Sequence, residues 1–206
     1  MPSPTPFANS GQTSRYTCYI ATHSAILDAC SHFKPIKPLS LLEAVYLPGL
    51  KNEHAITKSV IEAIPSDKSD YRPDNVSKSA LDLAWHIVNT EMVFTDAVAA
   101  GAFDFTPRPR PDSIKDSAAL ANRYADNFAT RFEKLSQLTP EQLLKVVDFR
   151  GMFQLAAVMY LGFVQQHSIH HRGQLSMYLR PMGAKVPSIY GESYDAAEAR
   201  KASTAR

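Results

Sequence analysis

The chain has 206 residues, 45% of them hydrophobic and 20% charged, and its formal net charge is only +2 with the histidines neutral. This length predicts one domain, or one domain with an appendage, and allows a core large enough to need no disulfides. The near balance of charge and the lack of a basic run disfavour nucleic-acid binding as a main function.

The sequence also disfavours membrane insertion and export. No apolar stretch approaches the ~20 residues of a membrane span. The N-terminus has no basic segment, and polar residues interrupt its apolar part, so we expect no signal peptide. Cys18 and Cys30 are not spaced as a redox or zinc motif and are expected to be reduced thiols. We therefore expect a cytoplasmic protein that binds neither membranes nor nucleic acid.

The first 38 residues are predicted to form an N-terminal extension of a domain that covers residues 39–206. Residues 1–14 are rich in Pro, Ser, Thr, Asn and Gly, which predicts a flexible tail. Apolar residues recur at roughly helical spacing over residues 16–33, which indicates a short extra helix. Two prolines within residues 34–38 then indicate a linker.

Two long helical patterns begin the domain. The first runs from residue 39 or 40 to 64, and Pro48 interrupts it. We expect either a bend there or a new helix start with the proline in its first turn. The second is predicted to begin near Ser77, as a cap, and to run to about Ala100 before Gly101.

A loop and a third long helix come next. Three prolines at alternating positions mark residues 103–111 as a loop. Residue 112 or 113 is predicted to cap a helix over residues 114–138. Thr139-Pro140 has the signature of a helix start, although the element is short. Residues 146–149 are expected to be extended.

The fourth long helix is predicted over residues 151–180, ended by Pro181 and Gly183. Four long helical patterns separated by breaks, with almost no alternating apolar runs, indicate an all-α protein. The predicted fold is a four-helix bundle that follows the N-terminal extension.

Three histidines in this pattern suggest a metal site. His167 and His171 lie four residues apart, one above the other on the same face of the fourth helix. The pair alone could arise by chance, but it continues a buried apolar face, where an unpaired imidazole is costly. His86 lies in the second helix, from which a bundle can bring it to the pair. Three neutral imidazoles suit a divalent transition metal, with positions left open for water or substrate.

Residues around the histidines are candidates for the pocket or for orienting the ligands. His170 is about 100° off the face of the pair and is expected to act beside the site rather than as a ligand. Gln174 can face the pocket, whereas Arg172 is expected to form a structural ion pair. Asp82 can either orient the second-helix histidine or lie solvated on the surface. Tyr190 is a pocket or packing candidate, and the residues leave that choice open.

These motifs together resemble the DinB/YfiT-like superfamily. The resemblance covers roughly residues 39–194, and the N-terminal extension departs from the usual family start. It is carried by Tyr71-Arg72-Pro73, Ala84-Trp85-His86, His167-Ser168-Ile169-His170-His171-Arg172-Gly173-Gln174-Leu175, Tyr178-Leu179-Arg180-Pro181-Met182-Gly183 and Val186-Pro187-Ser188-Ile189-Tyr190-Gly191.

The resemblance implies a four-helix bundle with one long crossover and a metal held by His86, His167 and His171. Family members often dimerise. Characterised relatives include transferases and isomerases that use low-molecular-weight thiols, and others are regarded as metal-dependent hydrolases. The family name derives from a DNA-damage-inducible gene and implies no contact with DNA.

From these points the sequence predicts a metalloprotein that is a thiol-dependent S-transferase acting on small electrophiles. Its expected cofactors are a divalent ion, zinc, nickel or another transition metal, and a low-molecular-weight thiol as cosubstrate. Its expected partners are a small-molecule substrate and a second copy of the chain. The alternatives are a metal-dependent hydrolase and a non-catalytic stress-response module that binds metal. No residue stands out as a general base, so the catalytic residues are unassigned.

Overall fold

The computed structural model describes residues 41–204. The predicted N-terminal extension, with its tail, short helix, linker and two cysteines, lies outside the described residues, so the domain boundary at residue 39 stays a prediction. Among the described residues, no helix combines the length and the apolar character needed to cross a bilayer.

The first helix changes type at the predicted interruption. A π-helical turn, Leu42–Tyr46, leads without a break into α1, Leu47–Glu62. Pro48 lies in the first turn of α1. Proline donates no N–H to the preceding turn, and the helix changes from π to α geometry next to it instead of ending.

Helix α2 spans Ala80–Ala100 and is capped by Ser79, whose hydroxyl accepts a hydrogen bond from the Asp82 amide at 3.1 Å. The expected cap at Ser77 is wrong, because Asp74 accepts hydrogen bonds from the amide and the hydroxyl of Ser77 in the preceding turn. The predicted end is confirmed: Gly101 has a φ of 68°, a left-handed conformation that glycine adopts without a Cβ clash.

Helix α3, Ser117–Ser136, begins later than predicted. Its cap is Asp116, which accepts a hydrogen bond from the Ala119 amide at 2.8 Å, and neither residue 112 nor 113 has that role. The short helix is present as α4, Pro140–Leu144, closed by reciprocal hydrogen bonds between Thr139 and Gln142.

A β-hairpin replaces the predicted start of the fourth helix. Strand β1, Val146–Phe149, confirms the expected extended segment, and β2, Phe153–Ala156, pairs with it antiparallel. The turn contains Arg150 at φ 55° and Gly151 at φ 70°, left-handed conformations that cannot begin an α-helix. Helix α5 therefore spans Met159–Leu179. A further helix, α6, Tyr194–Thr204, was not predicted.

The four long helices form the predicted bundle. Helix α2 packs against α3 and α5, and α1 packs against the same two helices. Consecutive helices α1 and α2 therefore occupy diagonal corners, and so do α3 and α5. The single long crossover implied by the resemblance is corrected to two diagonal connections, residues 63–79 and 137–158. The neighbours α2 and α5 are the helices that carry the three candidate ligands.

The bundle interior has two apolar clusters. One includes Ile61, Ala84 and Leu179, and the other includes Leu50 and Phe94. Along α1, α2 and α5, buried and half-buried polar residues lie between the positions that belong to the two clusters. We call these residues the polar layer: Glu53, Thr57, Glu91, Ser168 and Arg172.

Candidate metal centre

The structure brings the three candidate ligands together on the facing sides of α2 and α5. The Nε2 atom of His86 lies 3.1 Å from Nε2 of His167 and 3.2 Å from Nε2 of His171. The ring centroids of His167 and His171 are 4.4 Å apart, as expected for successive turns of one face. Three imidazole nitrogens from two helices therefore converge on a common point.

The donor set fits a divalent ion. Tetrahedral zinc bound to imidazole at 2.0–2.1 Å places its ligand nitrogens about 3.3–3.4 Å from one another. The observed separations of 3.1 and 3.2 Å are close to this spacing. A neutral imidazole carries one N–H, so each ring whose proton lies on Nδ1 offers the lone pair of its Nε2 atom to a shared cation. The cluster can hold a metal ion.

The electrostatics of the cluster keep the rings of His86 and His167 neutral. Burial, followed by the nearby His171 and His86 rings, lowers the pKa of His167 to about 4. Burial also lowers the pKa of His86, and the charges of His171 and Lys78 act in the same direction. Near pH 7 both rings are therefore unprotonated and able to donate a lone pair.

A glutamine sets the tautomer of His171. The Oε1 atom of Gln174 lies 2.7 Å from Nδ1 of His171, so this nitrogen carries the proton and donates it. The Nε2 atom of His171 is then left unprotonated toward the other two rings. The amide nitrogen of Gln174 donates in turn to Nε2 of His170 at 3.2 Å. His170 is thus linked to the cluster through Gln174 and is not a member of it.

Asp82 does not orient the ring of His86. Its Oδ2 accepts from the Ser79 hydroxyl at 2.7 Å, and its Oδ1 accepts from Nε of Arg110 at 3.2 Å. Arg72 lies 3.7 Å from the same carboxylate. Burial raises the pKa of Asp82, but these hydrogen bonds and charges outweigh burial and lower it. Asp82 therefore holds two arginines beside His86 and does not hydrogen-bond the His86 ring.

Tyr190 is 64% exposed, but its hydroxyl hydrogen-bonds to the polar layer and not to the histidine cluster. Its hydroxyl donates to Oε2 of Glu53 at 2.9 Å and accepts from Nη2 of Arg172 at 2.6 Å. Arg172 is only 1% exposed and forms the expected ion pair, with Nη1 2.5 Å from Glu53 Oε2. Arg172 directly follows His171. The network therefore fixes α5 against both α1 and the C-terminal segment, right beside the candidate ligands.

A polar cleft of about 540 Å³ opens beside His86. Trp85, which is 8% exposed, forms part of its wall, and its Nε1 donates to the carbonyl of Arg108 at 3.3 Å. Sequence reasoning missed most of the cleft, because the loop that supplies Arg108 has no spacing relation to the second helix. The cleft is lined by Arg72, Val76, Ser77, Lys78, Asp82, Trp85, His86, Asn89, Arg108, Pro109 and Arg110.

A family model described as the DinB family matches residues 42–202. The chain is 29% identical to YjoA of Bacillus subtilis over 130 residues, which are 62% of this chain and 82% of YjoA. It is 32% identical to YrdA of the same organism over 117 residues, which are 53% of this chain and 64% of YrdA.

Solved structures agree in fold. The crystal structure of the DinB-like protein YjoA from Bacillus subtilis matches with a TM-score of 0.58 and 26% identity, over 70% of this chain and 96% of that one. A DinB-like protein from Bacillus cereus matches with a TM-score of 0.60 and 23% identity, over 70% of this chain and 95% of that one. At 23% identity, the match to the Bacillus cereus protein shows a shared fold and carries no information about function.

Proposed function

Because the chain belongs to the DinB family, we propose that it is a metalloenzyme: a thiol-dependent S-transferase that acts on small electrophiles, with its divalent ion held by His86, His167 and His171. The observation that carries the proposal is the convergence of three Nε2 atoms at 3.1 and 3.2 Å beside an open cleft. The expected native ion is zinc, nickel or another transition metal, since imidazole suits this class.

A divalent ion bound by three neutral imidazoles would keep a thiol ionised at neutral pH, or acidify a water molecule. The residues of the chain supply the rest. Gln174 keeps the Nδ1 proton on His171, so the ring presents its lone pair in one orientation. The buried ion pair of Arg172 and Glu53 holds the adjacent turn of α5 in place.

Thiol chemistry suits this site better than hydrolysis. Among the described residues, Gln174 is the one residue outside the cluster that hydrogen-bonds to the three rings, so no carboxylate is bonded to the cluster as a general base. A thiol has a pKa of about 8.5 and needs less activation than water, whose pKa is about 15.7. In the proposed reaction the sulfur forms a bond to an electrophilic carbon, the leaving group departs with its electron pair, and the thiol proton passes to solvent.

The proposal is tested by loading the purified protein with zinc, nickel or cobalt and measuring conjugation of a small thiol to 1-chloro-2,4-dinitrobenzene, with release of chloride. We expect turnover that disappears after chelation and in His167→Ala. The matched control is His170→Ala, which removes a neighbouring imidazole outside the cluster and is expected to retain the metal. The absence of turnover with every thiol tested would contradict the transferase proposal.

Two other functions predict different outcomes. A metal-dependent hydrolase would cleave members of a panel of esters, amides and lactones without thiol. A non-catalytic stress-response module would show neither activity, and chelation would lower its melting temperature. An ion with a catalytic role is expected to leave the fold largely intact when it is removed.

The proposal includes a homodimer in the cytoplasm, where reduced thiols are abundant. Large apolar side chains exposed on and beside the hairpin support self-association: Met152 is 61% exposed, Phe153 45% and Met159 51%. Light scattering coupled to size-exclusion chromatography measures the mass. A mass of one chain at micromolar concentration would contradict this part of the proposal.

A further inference from the structure

The cleft beside His86 carries an excess of positive charge. Four cationic side chains and one carboxylate, that of Asp82, line it, so the formal charge of the lining is +3. We propose that this cleft binds the anionic group, a carboxylate or a phosphate, of the small molecule that reacts at the histidine cluster. The inference rests on the proposed function for the identity of the reaction, and the binding step stands on the cleft itself.

Ion pairs within the protein balance this charge only in part. Arg72 and Arg110 share the single carboxylate of Asp82. Arg108 lies 3.1 Å from Asp96 and 3.3 Å from Asp104, neither of which lines the cleft. Lys78 is exposed and forms no ion pair with any residue in the described range. An incoming anion therefore meets at least one ammonium group that has no competing carboxylate.

The arginines are held in place before a ligand arrives. The Trp85 indole donates to the backbone carbonyl of Arg108 at 3.3 Å, which fixes the loop against α2. Arg110 donates from Nη1 to the carbonyl of Ile114 and from Nε to Asp82. A guanidinium that is already oriented loses little conformational freedom on binding, so these contacts favour recognition of a planar or tetrahedral oxyanion.

The size of the cleft indicates a small molecule. Its volume of about 540 Å³ lies within the range of roughly 300–1,000 Å³ typical of ligand pockets. The chain as a whole carries a net charge of only +2, so the positive charge of the cleft is a local feature and not part of a surface suited to a polyanion.

Three thiols with the same reactive sulfur test the inference: 3-mercaptopropionate, 3-mercapto-1-propanol and cysteamine, which end in an anionic, a neutral and a cationic group. Binding is measured by NMR titration on metal-free protein and repeated on metal-loaded protein. We expect the anionic probe to bind metal-free protein about tenfold more tightly than the neutral one, and added salt to reduce that preference. Competition by succinate and by inorganic phosphate shows which of the two groups the cleft prefers.

Lys78→Glu is the decisive variant, because Lys78 is exposed and its replacement breaks no ion pair among the described residues. We expect it to weaken binding of 3-mercaptopropionate by about fivefold or more while the neutral probe is unaffected. The matched control is Lys51→Glu, the same charge change at an exposed residue of α1 that does not line the cleft. Equal binding of the three probes, or equal losses in the two variants, would overturn the inference.

The results also separate this inference from the proposed function. Metal-dependent conjugation without preference for anionic thiols would refute the anion-binding role of the cleft and would still support the transferase function. The opposite result is also possible: 3-mercaptopropionate binds metal-free protein in a way that depends on Lys78, but no conjugation follows metal loading. That result would support the anion-binding role of the cleft and refute the transferase function.

Discussion

Replacing Gln174 with leucine tests how the chain prepares the cluster for metal. The substitution removes the Oε1 acceptor that lies 2.7 Å from Nδ1 of His171, so that the ring can rotate and place its proton on either nitrogen. Loss of such a partner of a metal-ligating histidine typically weakens metal affinity by about 10–100-fold. At about 1.4 kcal/mol for each tenfold change, the expected loss of binding free energy is about 1.4–2.8 kcal/mol.

Zinc affinity is measured by competition with a chromophoric chelator, and the unfolding of metal-free protein is measured in urea. Because Gln174 is exposed, its loss should change the stability of metal-free protein by only about 0.5 kcal/mol or less. The matched control is Gln166→Leu, an exposed glutamine on the same helix that makes no side-chain hydrogen bond with described residues. Equal zinc affinities for Gln174→Leu, Gln166→Leu and the unmodified chain would refute the reasoning.

Three further predictions concern the buried histidine and the polar layer. The pKa of His167 is lowered to about 4 from 6.5, so unfolding takes up a proton at any pH between these values. Metal-free protein should therefore have its full stability above pH 6.5 and lose on the order of 1–2 kcal/mol of unfolding free energy as the pH falls toward 4. Burial and then the charge of Lys58 also lower the pKa of His54 to about 4, so His54 destabilises the protein in the same direction as the pH falls. The difference between urea titrations of the unmodified chain and of His167→Gln isolates the contribution of His167. Arg172→Met should lower the free energy of unfolding in urea by about 3–5 kcal/mol, because it leaves Glu53 buried without its partner. A double variant that also carries Glu53→Leu should recover much of that loss. If the losses of the two single variants simply add in the double variant, the pairing is contradicted. Tyr190→Phe should cost about 0.5–1 kcal/mol through loss of two hydrogen bonds to the same pair, because the side chain is 64% exposed and water replaces part of them; unchanged urea stability would contradict that role.

Helical periodicity predicted the four-helix bundle. The four-residue spacing of His167 and His171 places both rings on one helix face whatever the exact start of that helix. His86 belongs to a long regular helix, and the packing of α2 against α5 brings it to the pair. Element type and ligand candidates could therefore be read from local sequence, because both depend on spacing within single helices.

The boundaries and the surroundings of the site depend on contacts that spacing does not encode. Several hydroxyl or carboxyl side chains near each start can cap a helix, and the chain uses Ser79 and Asp116 where earlier residues were predicted. The apolar stretch after residue 149 also fits a helical pattern. The left-handed conformations of Arg150 and Gly151 in the hairpin turn make it a strand instead of a helix start. The ion pair of Arg172 with Glu53 joins residues 119 positions apart, and the bond of Trp85 to the loop carbonyl of Arg108 joins residues 23 apart.

X-ray absorption at the metal edge, on protein loaded with one equivalent of zinc, tests the central claim most directly. The account predicts three imidazole nitrogens at about 2.0–2.1 Å in the unmodified chain. It predicts two in His86→Ala and an unchanged spectrum in His170→Ala. A zinc shell without three imidazoles, or one that is unaffected by the loss of His86, would contradict the claim that α2 and α5 together build the metal centre.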